Sequence, residues 1–480
     1  MAGTAGERFA SFIDDRPVGR AQWLTILLCG MVMFLDGFDT QSISYAVPHI
    51  AKEWHLKKAL FGPIFSAALV GLMVGYLGLA PLSDRFGHRR VVIYSTLAFA
   101  VATLACPLAT NIPMLIALRF LTGVGLGAAT PSTVALTGEY SPKRLRSSFV
   151  LAIYCGFSLG FVASGAVAGW ILPHWGWRSL FWIGAVVPLA LLPFLFAYLP
   201  EAISMLTRPG ADRDAAVATF RKIDPGFSHR ALPVAVPAER RERVGVGRLF
   251  ENGMSYGTLL LWLVFLINLG EFYAVQSWLP TILTGFAYSG RIVVAATSLV
   301  TVGGIVAAFV VGPAMDRISP YGALALLYVA GFVFTGLVGL SFQTSLPLLL
   351  GSTFLAGLCV SGGQKSVIAL GAVFYPSEIR STGVGWALGV GRLGGIAGPL
   401  LVGVAMGAGL LPRGVFYLLA APMLVMAGAI WLMGRRYVAR SAPRPSDCAG
   451  RRAETSLLPH THQIAEPEHG SFRSRRGSCA

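Results

Sequence analysis

Residues 23–48 read WLTILLCGMVMFLDGFDTQSISYAVP, a long apolar run interrupted near its centre by two aspartates. As an α-helix rising about 1.5 Å per residue, the run is long enough to cross a hydrocarbon core of about 30 Å. Asp36 and Asp39 are three residues apart, so they share one face of that helix. A charged group at the centre of a membrane helix costs about 2.5–3.5 kcal/mol on insertion scales. This stretch therefore predicts a membrane-spanning helix whose two acids are functional candidates.

Apolar runs of similar length recur along the whole chain of 480 residues. The chain is 55% hydrophobic and only 12% charged, whereas soluble domains carry about 25% charged residues. We therefore predict an all-α membrane protein with twelve transmembrane helices and with both termini on one side. The predicted spans are residues 21–47, 59–80, 91–109, 113–138, 147–170, 178–199, 256–282, 292–313, 322–341, 346–373, 382–409 and 413–434.

Lysines and arginines are distributed unequally between the two sides of this predicted topology. Of 38 such residues, 29 lie on the side of the termini, six lie on the opposite side and three lie within spans. Because Lys and Arg accumulate in cytoplasmic loops, both termini are predicted to be cytoplasmic, in a bacterial-type inner membrane. The same distribution accounts for the net charge of +16, so we expect the lipid bilayer, and no nucleic acid, as a partner.

The predicted spans divide the chain into five segments. No cleavable signal peptide is expected, because the first 20 residues are polar and the apolar run after them is too long for one. The last segment is polar and rich in Pro, Ser and Arg, which is typical of disorder. The segments are a cytoplasmic tail (1–20), a six-helix bundle (21–199), a cytoplasmic linker (200–255), a second six-helix bundle (256–435) and a disordered cytoplasmic tail (436–480).

The two predicted bundles carry an internal repeat. Residues 119–150 align without a gap over residues 353–384, with ten identical positions at an offset of 234. A second match joins PLSDR at 81–85 to PAMDR at 313–317, at an offset of 232. Both matches run in the same direction along the two bundles, so we predict two pseudo-symmetric, parallel halves. Secondary transporters use this plan, with a binding site near mid-membrane between halves that rock around it.

A third acid lies in the seventh predicted span. An offset of 232 places Glu271 at the position that corresponds to Asp39, so the two acids are expected to face one cavity. A carboxyl group buried in the membrane can take up and release a proton, which favours proton coupling as the role of Asp36, Asp39 and Glu271. The alternative is a structural polar patch in which the aspartates bond to Gln41, Ser42 or a basic partner.

Three basic residues also lie within predicted spans. Arg392, flanked by glycines in GVGRLGG, is a candidate contact for a substrate carboxylate, because a guanidinium presents a fork that matches a carboxylate. Its alternative role is an ion pair with Glu271 or another acid. Arg119 is expected to pair with an acid and to relay protons or gate. Lys365 is deep enough to contribute to a substrate site, but its side chain could also extend toward the cytoplasm.

Aromatic residues stand beside Glu271, and Phe272, Tyr273 and Trp278 could stack on a planar substrate. The alternative is packing or contact with lipid. The six cysteines show no spacing typical of a metal site or a disulfide framework. No nucleophile–base set is apparent either, so we expect neither an enzyme nor a bound cofactor or metal.

Residues 82–90, LSDRFGHRR, resemble the loop between spans two and three of the major facilitator superfamily. That loop acts as a charge lock that gates the transporter without binding substrate. The superfamily's usual leading glycine is replaced near Pro81. RFLTGVGLG at 119–127 resembles the superfamily's span-four motif, whose arginine is associated with proton transfer, which implies that role for Arg119. The resemblance and the repeat assign to the gate Asp84, Arg85, Gly87, Arg89, Arg90, Asp316 and Arg317.

Two further stretches resemble the aromatic acid:proton symporters within that superfamily. The Asp36–Asp39 stretch, DGFD, is similar to their first-span motif, and residues 375–401, which include Arg392, are similar to their eleventh-span region. This resemblance implies uptake of a small aromatic carboxylate such as a hydroxybenzoate, by alternating access and with protons as the coupling ion. Glu271 and Lys365 depart from the expected pattern.

A different class of transporter is also compatible with the superfamily. A proton-coupled antiporter that exports drugs or metabolites would use the acids to attract cations, but the arginines within spans and Lys365 argue against it. We expect the transporter to be a monomer.

Overall fold

A computed structural model describes residues 13–14, 16–79, 82–142, 144–206, 213–223, 246–251, 253–376 and 379–441. The part up to Met433 forms one compact unit, and a second unit begins at Gly434. The long helices named below were anticipated as apolar runs of the sequence, and the described residues form an all-helical structure.

Eleven helices of the described part are long and apolar enough to cross a membrane. They are α1 (Arg20–Glu53), α2 (Phe61–Val74), α3 (His88–Ala105), α4 (Ile112–Glu139), α5 (Arg146–Tyr198), α6 (Ser255–Gly285), α7 (Gly290–Arg317), α8 (Pro320–Ser341), α9 (Leu346–Phe374), α10 (Arg380–Gly407) and α11 (Pro412–Ser441). The span that contains α2 runs from Lys58 to Leu79, because a 3-10 turn, Lys58–Leu60, precedes α2 and a π-helical turn, Gly75–Leu79, follows it.

Helix α5 runs through two of the predicted spans. It consists of two helical segments, because its backbone leaves helical geometry at Gly176, where φ is 74° and ψ is 179°. Glycine adopts such a positive φ readily because it has no Cβ. The predicted spans 147–170 and 178–199 lie on either side of this break.

The internal repeat is visible in how the helices begin. The side chain of Asn111 caps α4 by accepting a hydrogen bond from Met114 N at 2.9 Å. The side chain of Ser345 caps α9 in the same way, by accepting a hydrogen bond from Leu348 N at 3.2 Å. Both caps are followed by a proline within the first helical turn, where a missing N–H costs nothing. The caps are separated by the offset of 234 found in the sequence, so corresponding helices start in register.

The membrane side that carries the turn between α2 and α3 is called the loop side, and the opposite side is called the far side. A large buried cluster on the far side contains residues of both halves, among them Tyr45, Phe61, Trp278 and Met406. A second cluster on the loop side contains residues only up to Ile223. The main contacts between halves join α1 to α6, α2 to α10 and α5 to α7.

Helices α1 and α5 cross with their backbones in direct contact. A Cβ at Gly37 would lie 2.0 Å from the carbonyl oxygen of Phe157, and one at Gly160 would lie 2.1 Å from that of Phe34. Gly37, which separates the two aspartates, therefore sets how closely α5 approaches them.

In the described part of the predicted linker 200–255 there are two short α-helices, Ile203–Leu206 and Arg213–Ile223, and a 3-10 helix, Val246–Phe250. The second helix buries Val217 and Phe220 in the loop-side cluster of the first half. The predicted boundary at residue 435 falls inside α11, which continues to Ser441. The rest of the predicted tail lies outside the described residues.

Candidate functional site between the two halves

The first charged feature of the interior is an ion pair between α1 and α4. Arg119 Nη1 donates to Asp39 Oδ1 at 2.8 Å, and Arg119 Nη2 donates to the backbone carbonyl of Asp39 at 3.3 Å. The exposed fractions of the two side chains are 0% and 1%. The guanidinium also lies over the ring of Phe181, 5.8 Å from its centroid. Two opposite charges buried this deeply are stable only together.

Asp36 is buried one turn earlier on the same face of α1. Its Oδ2 accepts a hydrogen bond from Thr130 of α4 at 3.0 Å, and its Oδ1 accepts a longer one from Thr40 at 3.4 Å. Both aspartates therefore face α4, as their spacing predicts. Asp39 has a cation as its partner, whereas the hydrogen-bond partners of Asp36 are neutral hydroxyls.

Arg392 of α10 reaches across to the first half. Its Nη1 donates to the hydroxyl of Tyr273 at 3.0 Å, and its Nη2 donates to the hydroxyl of Tyr76 at 3.3 Å. Its Cζ lies 5.1 Å from the centroid of the Tyr76 ring. Tyr273 belongs to α6, whereas Tyr76 belongs to the π-helical turn after α2. The guanidinium thus bridges the halves through two phenols.

Asp36, Tyr76, Tyr154 and Tyr273 all lie within electrostatic range of Arg392. Tyr154 of α5 is 43% exposed although it lies this close to groups of both halves. A guanidinium surrounded by several phenols has the chemistry to bind an aromatic anion.

The pairing of Arg392 with Glu271 does not form. Neither carboxylate oxygen of Glu271 has a hydrogen-bond partner among the described residues, and its side chain is only 3% exposed. Lys365 of α9 is half-buried, and its Nζ donates to the backbone carbonyl of Gly304 at 3.3 Å. Cys155 of α5 lies within electrostatic range of Lys365.

The three aromatic residues beside Glu271 occupy different environments. Tyr273 contacts Arg392, and Phe272 lies against Phe161 of the first half, with ring centroids 6.0 Å apart. Trp278 is 1% exposed and stacks on Phe61, and its Nε1 donates to the carbonyl of Pro399 at 3.0 Å. The structure thus places Trp278 in the far-side contact between halves and not beside Arg392.

The turn between α2 and α3 is anchored to the end of α5. Gly87 has a φ of 97°, and a Cβ there would lie 2.3 Å from a carboxylate oxygen of Glu201. That carboxylate accepts a hydrogen bond from Arg89 N at 3.1 Å, at the start of α3, where a helix favours negative charge. Arg89 Nη2 donates to the carbonyl of Phe196 at 2.6 Å.

Tyr140, which follows α4, supports the same anchor. Its hydroxyl donates to the backbone carbonyl of Glu201 at 2.7 Å. Burial, together with the carboxylates of Glu139 and Glu201, raises the pKa of Tyr140 well above its ordinary value, so the hydroxyl remains a neutral donor.

The other residues predicted for the gate have few described contacts. Arg85, Arg90 and Arg317 are exposed on the loop side. The side chains of Asp84 and Asp316 lie outside the described part of the chain.

Two residues of the site escaped the sequence analysis, namely Tyr76 and Tyr154. Their signal was a phenol inside an otherwise apolar span, which is weak because tyrosines also mark membrane interfaces. Within the described ranges no three His, Cys, Asp or Glu side chains could hold a metal ion.

Comparison with known proteins agrees with this geometry. A sequence model of the Major Facilitator Superfamily matches residues 29–340 and 261–468. The 4-hydroxybenzoate transporter PcaK of Pseudomonas putida is 38% identical over 83% of this chain and 89% of its own length. The gallate transporter of the same species is 36% identical over 88% of this chain and 94% of its own.

A solved structure shares the fold. A bacterial homologue of the human lysosomal transporter Spinster, crystallised in an inward-facing and unoccupied conformation, superposes with a TM-score of 0.70. That likeness covers 88% of this chain and 98% of the other at 15% sequence identity. The expectations of a multi-pass membrane transporter and not an enzyme, and the resemblance to aromatic acid transporters, are confirmed by these findings. The chain belongs to the Major Facilitator Superfamily.

Proposed function

We propose that this protein is a proton-coupled symporter that imports a small aromatic carboxylate, such as a hydroxybenzoate, across a bacterial inner membrane. The relatives named above transport 4-hydroxybenzoate and gallate, which supports an aromatic acid as the substrate. The single observation that carries the proposal is Arg392, whose two hydrogen bonds go to neutral phenols of both halves and leave its charge available for an anion.

The proposed topology has twelve membrane crossings, because the break at Gly176 divides α5 into two segments that each match a predicted span. The excess of Lys and Arg on the loop side supports a cytoplasmic loop side with both termini cytoplasmic. Contacts that join the halves on the far side support an inward-facing state in an alternating-access cycle.

The substrate carboxylate replaces a tyrosine hydroxyl on the fork of Arg392. Charge-assisted bonds from a guanidinium to a carboxylate are about twice as strong as bonds to a neutral oxygen, so this exchange is favourable. The aromatic ring then lies among Tyr76, Tyr154 and Tyr273. Lys365 adds positive potential on the loop side of this space, where the anion leaves.

Asp36 couples a proton to the anion by competing for the same cation. When Asp36 is ionised, its negative charge is already attracted to the guanidinium of Arg392. An arriving carboxylate places a second negative charge there, which favours protonation of Asp36. At least one proton therefore enters with each substrate anion. Asp39 and Arg119 hold the neighbouring turn of α1 and relay the proton, and the turn anchored at Glu201 gates the loop side.

The test is uptake of labelled 4-hydroxybenzoate by proteoliposomes that contain the full-length protein. An imposed pH gradient, alkaline inside, is expected to drive accumulation above the external concentration, whereas liposomes without a gradient only equilibrate. Benzylammonium serves as a cationic control of similar size and is not expected to accumulate. Accumulation of that cation, or movement of hydroxybenzoate only when protons flow the opposite way, would replace symport by the antiport alternative.

A further inference from the structure

Glu271 is a buried acid that the substrate site does not use. Its side chain is 3% exposed, and both carboxylate oxygens are without a hydrogen-bond partner in the part of the chain described. An ionised carboxylate in this position would be uncompensated, and such burial is avoided in proteins by neutralising the group. The geometry therefore requires that the carboxyl group holds a proton in this conformation.

The orientation of α6 separates Glu271 from the substrate. Glu271 and Tyr273 are two residues apart, which corresponds to about 200° around a helix. Since Tyr273 faces Arg392, Glu271 faces the interior of its own half. The hydroxyl of Tyr328 on α8 lies within electrostatic range of it there.

Two other polar atoms of this interior are also buried and lack a hydrogen-bond partner, the hydroxyl of Tyr328 and Oδ1 of Asn268. Asn268 lies three residues before Glu271, on the same face of α6. Its amide nitrogen is oriented by a 3.3 Å hydrogen bond to the carbonyl of Val360, which leaves Oδ1 as an acceptor. None of these groups bonds to another in this conformation. A neutral carboxyl group has both an acceptor for the Tyr328 hydroxyl and a donor for Asn268 Oδ1, whereas an ionised carboxylate has no donor.

The internal repeat explains why this acid differs from its counterpart. Glu271 corresponds to Asp39, which has Arg119 as a counter-charge. The position corresponding to Arg119 is Thr353, whose hydroxyl donates to its own helix at Leu349 O, 2.9 Å away. The second half thus keeps the acid and lacks the cation.

The remaining titratable and charged groups of the neighbouring helices do not neutralise Glu271. Cys359 of α9 lies within electrostatic range of Tyr328. Lys365 is bonded to Gly304, and Arg392 is bonded to the two tyrosines. Among the described residues, a proton is the cation that this carboxylate can use.

We propose that Glu271, with Tyr328 and Asn268, forms a second proton-binding site in the C-terminal half, so that each substrate anion moves with two protons. This inference rests on the proposed symport. In the release step the O–H bond of the carboxyl group breaks, the electron pair stays on the carboxylate oxygen and the proton passes to water; rebinding reverses the step. Two protons with one monovalent anion carry one net positive charge inward.

Helix α6 provides the link between substrate and this site. A Cβ at Gly398 of α10 would lie 2.1 Å from Gly270 O, so the two helices touch through their backbones at the residue before Glu271. The hydrogen bonds from Trp278 to Pro399 and from Arg392 to Tyr273 also join these two helices. When the substrate carboxylate replaces the Tyr273 hydroxyl on Arg392, the hydrogen bond between these two residues is lost. Helix α6 then shifts against α10, and Glu271 becomes accessible to water.

The experiment measures charge movement in proteoliposomes with equal pH on both sides and a potassium diffusion potential of about 100 mV, negative inside. One net positive charge per substrate gives the wild type roughly 50-fold accumulation of labelled 4-hydroxybenzoate, because the potential contributes about 2.3 kcal/mol per charge. E271Q preserves the donor and the acceptor but cannot ionise, so it is expected to lose this response and to keep accumulation driven by a pH gradient. E271L, which removes the polar atoms, is expected to do the same, whereas E271D is expected to keep the response.

The outcomes separate the two proposals. A wild-type protein that responds to the pH gradient but not to the potential overturns the second proton and leaves symport intact. A potential response of wild-type size in E271Q or E271L also overturns the role of Glu271. If neither gradient drives accumulation by the wild type, the proposed symport itself fails.

Discussion

Arg119 of α4 and Asp39 of α1 form an ion pair with an N–O distance of 2.8 Å in which both side chains are buried. Removing one charge leaves the other buried and unpaired, which typically costs 3–5 kcal/mol. R119Q and D39N are each expected to lower the thermal stability of the detergent-solubilised protein clearly. The double variant removes both charges and is expected to recover most of that loss.

The double variant of Arg119 and Asp39 is expected to affect transport and stability differently. The double variant is expected to remain unable to accumulate substrate against its gradient, because the relay is absent although the fold is restored. Thermal unfolding and pH-driven uptake of the same preparations check this. A double variant no more stable than the single variants would contradict a paired role, and normal accumulation would contradict the relay.

Asp36 is expected to set the pH dependence of substrate binding. Since the anion favours protonated Asp36, affinity should fall as rising pH ionises this group. D36N is uncharged at every pH, so its affinity is expected to be nearly independent of pH and its uptake to be uncoupled from the pH gradient. Equilibrium binding of 4-hydroxybenzoate between pH 5 and 8 measures the difference. Parallel pH profiles for wild type and D36N would argue against the competition for Arg392.

Arg392 is expected to determine carboxylate affinity. R392K keeps the positive charge but loses the fork that binds two oxygens, and hydrogen bonds to charged groups contribute about 1.5–3 kcal/mol. KM for hydroxybenzoate should therefore rise about 10- to 100-fold. R291K, at an exposed position at the start of α7, is the matched control and should leave KM unchanged. Equal KM values in both variants would remove Arg392 from the binding site.

Gly37 tests the close approach of α5 to the aspartates. In G37A the new methyl group would meet Phe157 O at 2.0 Å, so the helices must separate. Overpacking typically costs 1–3 kcal/mol, and the displaced face of α1 should slow transport. G336A is the control, because nothing lies within 4 Å of a Cβ at that position of α8. A thermal stability of G37A equal to that of G336A would show that the crossing tolerates a side chain.

The membrane fold was predictable because its determinants are local and repeated. Each apolar run is long enough to span a bilayer by itself, and the helix caps at Asn111 and Ser345 follow the offset that the alignment revealed. The break at Gly176, where the backbone leaves helical geometry, falls between the predicted spans 147–170 and 178–199.

The site was predictable only in part, because a residue belongs to the site only if it lies on the face of its helix that meets the other half. Arg392 and Tyr273 were recognised from charge and from their neighbours, and the structure brings them together. Tyr76 was missed, since its contact with Arg392 crosses between halves. Trp278 was assigned to the substrate from proximity in sequence, but its position on α6 directs it to the far-side contact with Phe61.

The most direct test of the central claim, that a proton enters with each substrate anion, is a simultaneous measurement of both fluxes. Weakly buffered proteoliposomes without any imposed gradient receive labelled 4-hydroxybenzoate, and external pH and internal label are followed together. The external medium is expected to become alkaline in step with uptake by the wild type, and D36N should show uptake with a reduced proton flux. Uptake by the wild type with no change in external pH would contradict the account.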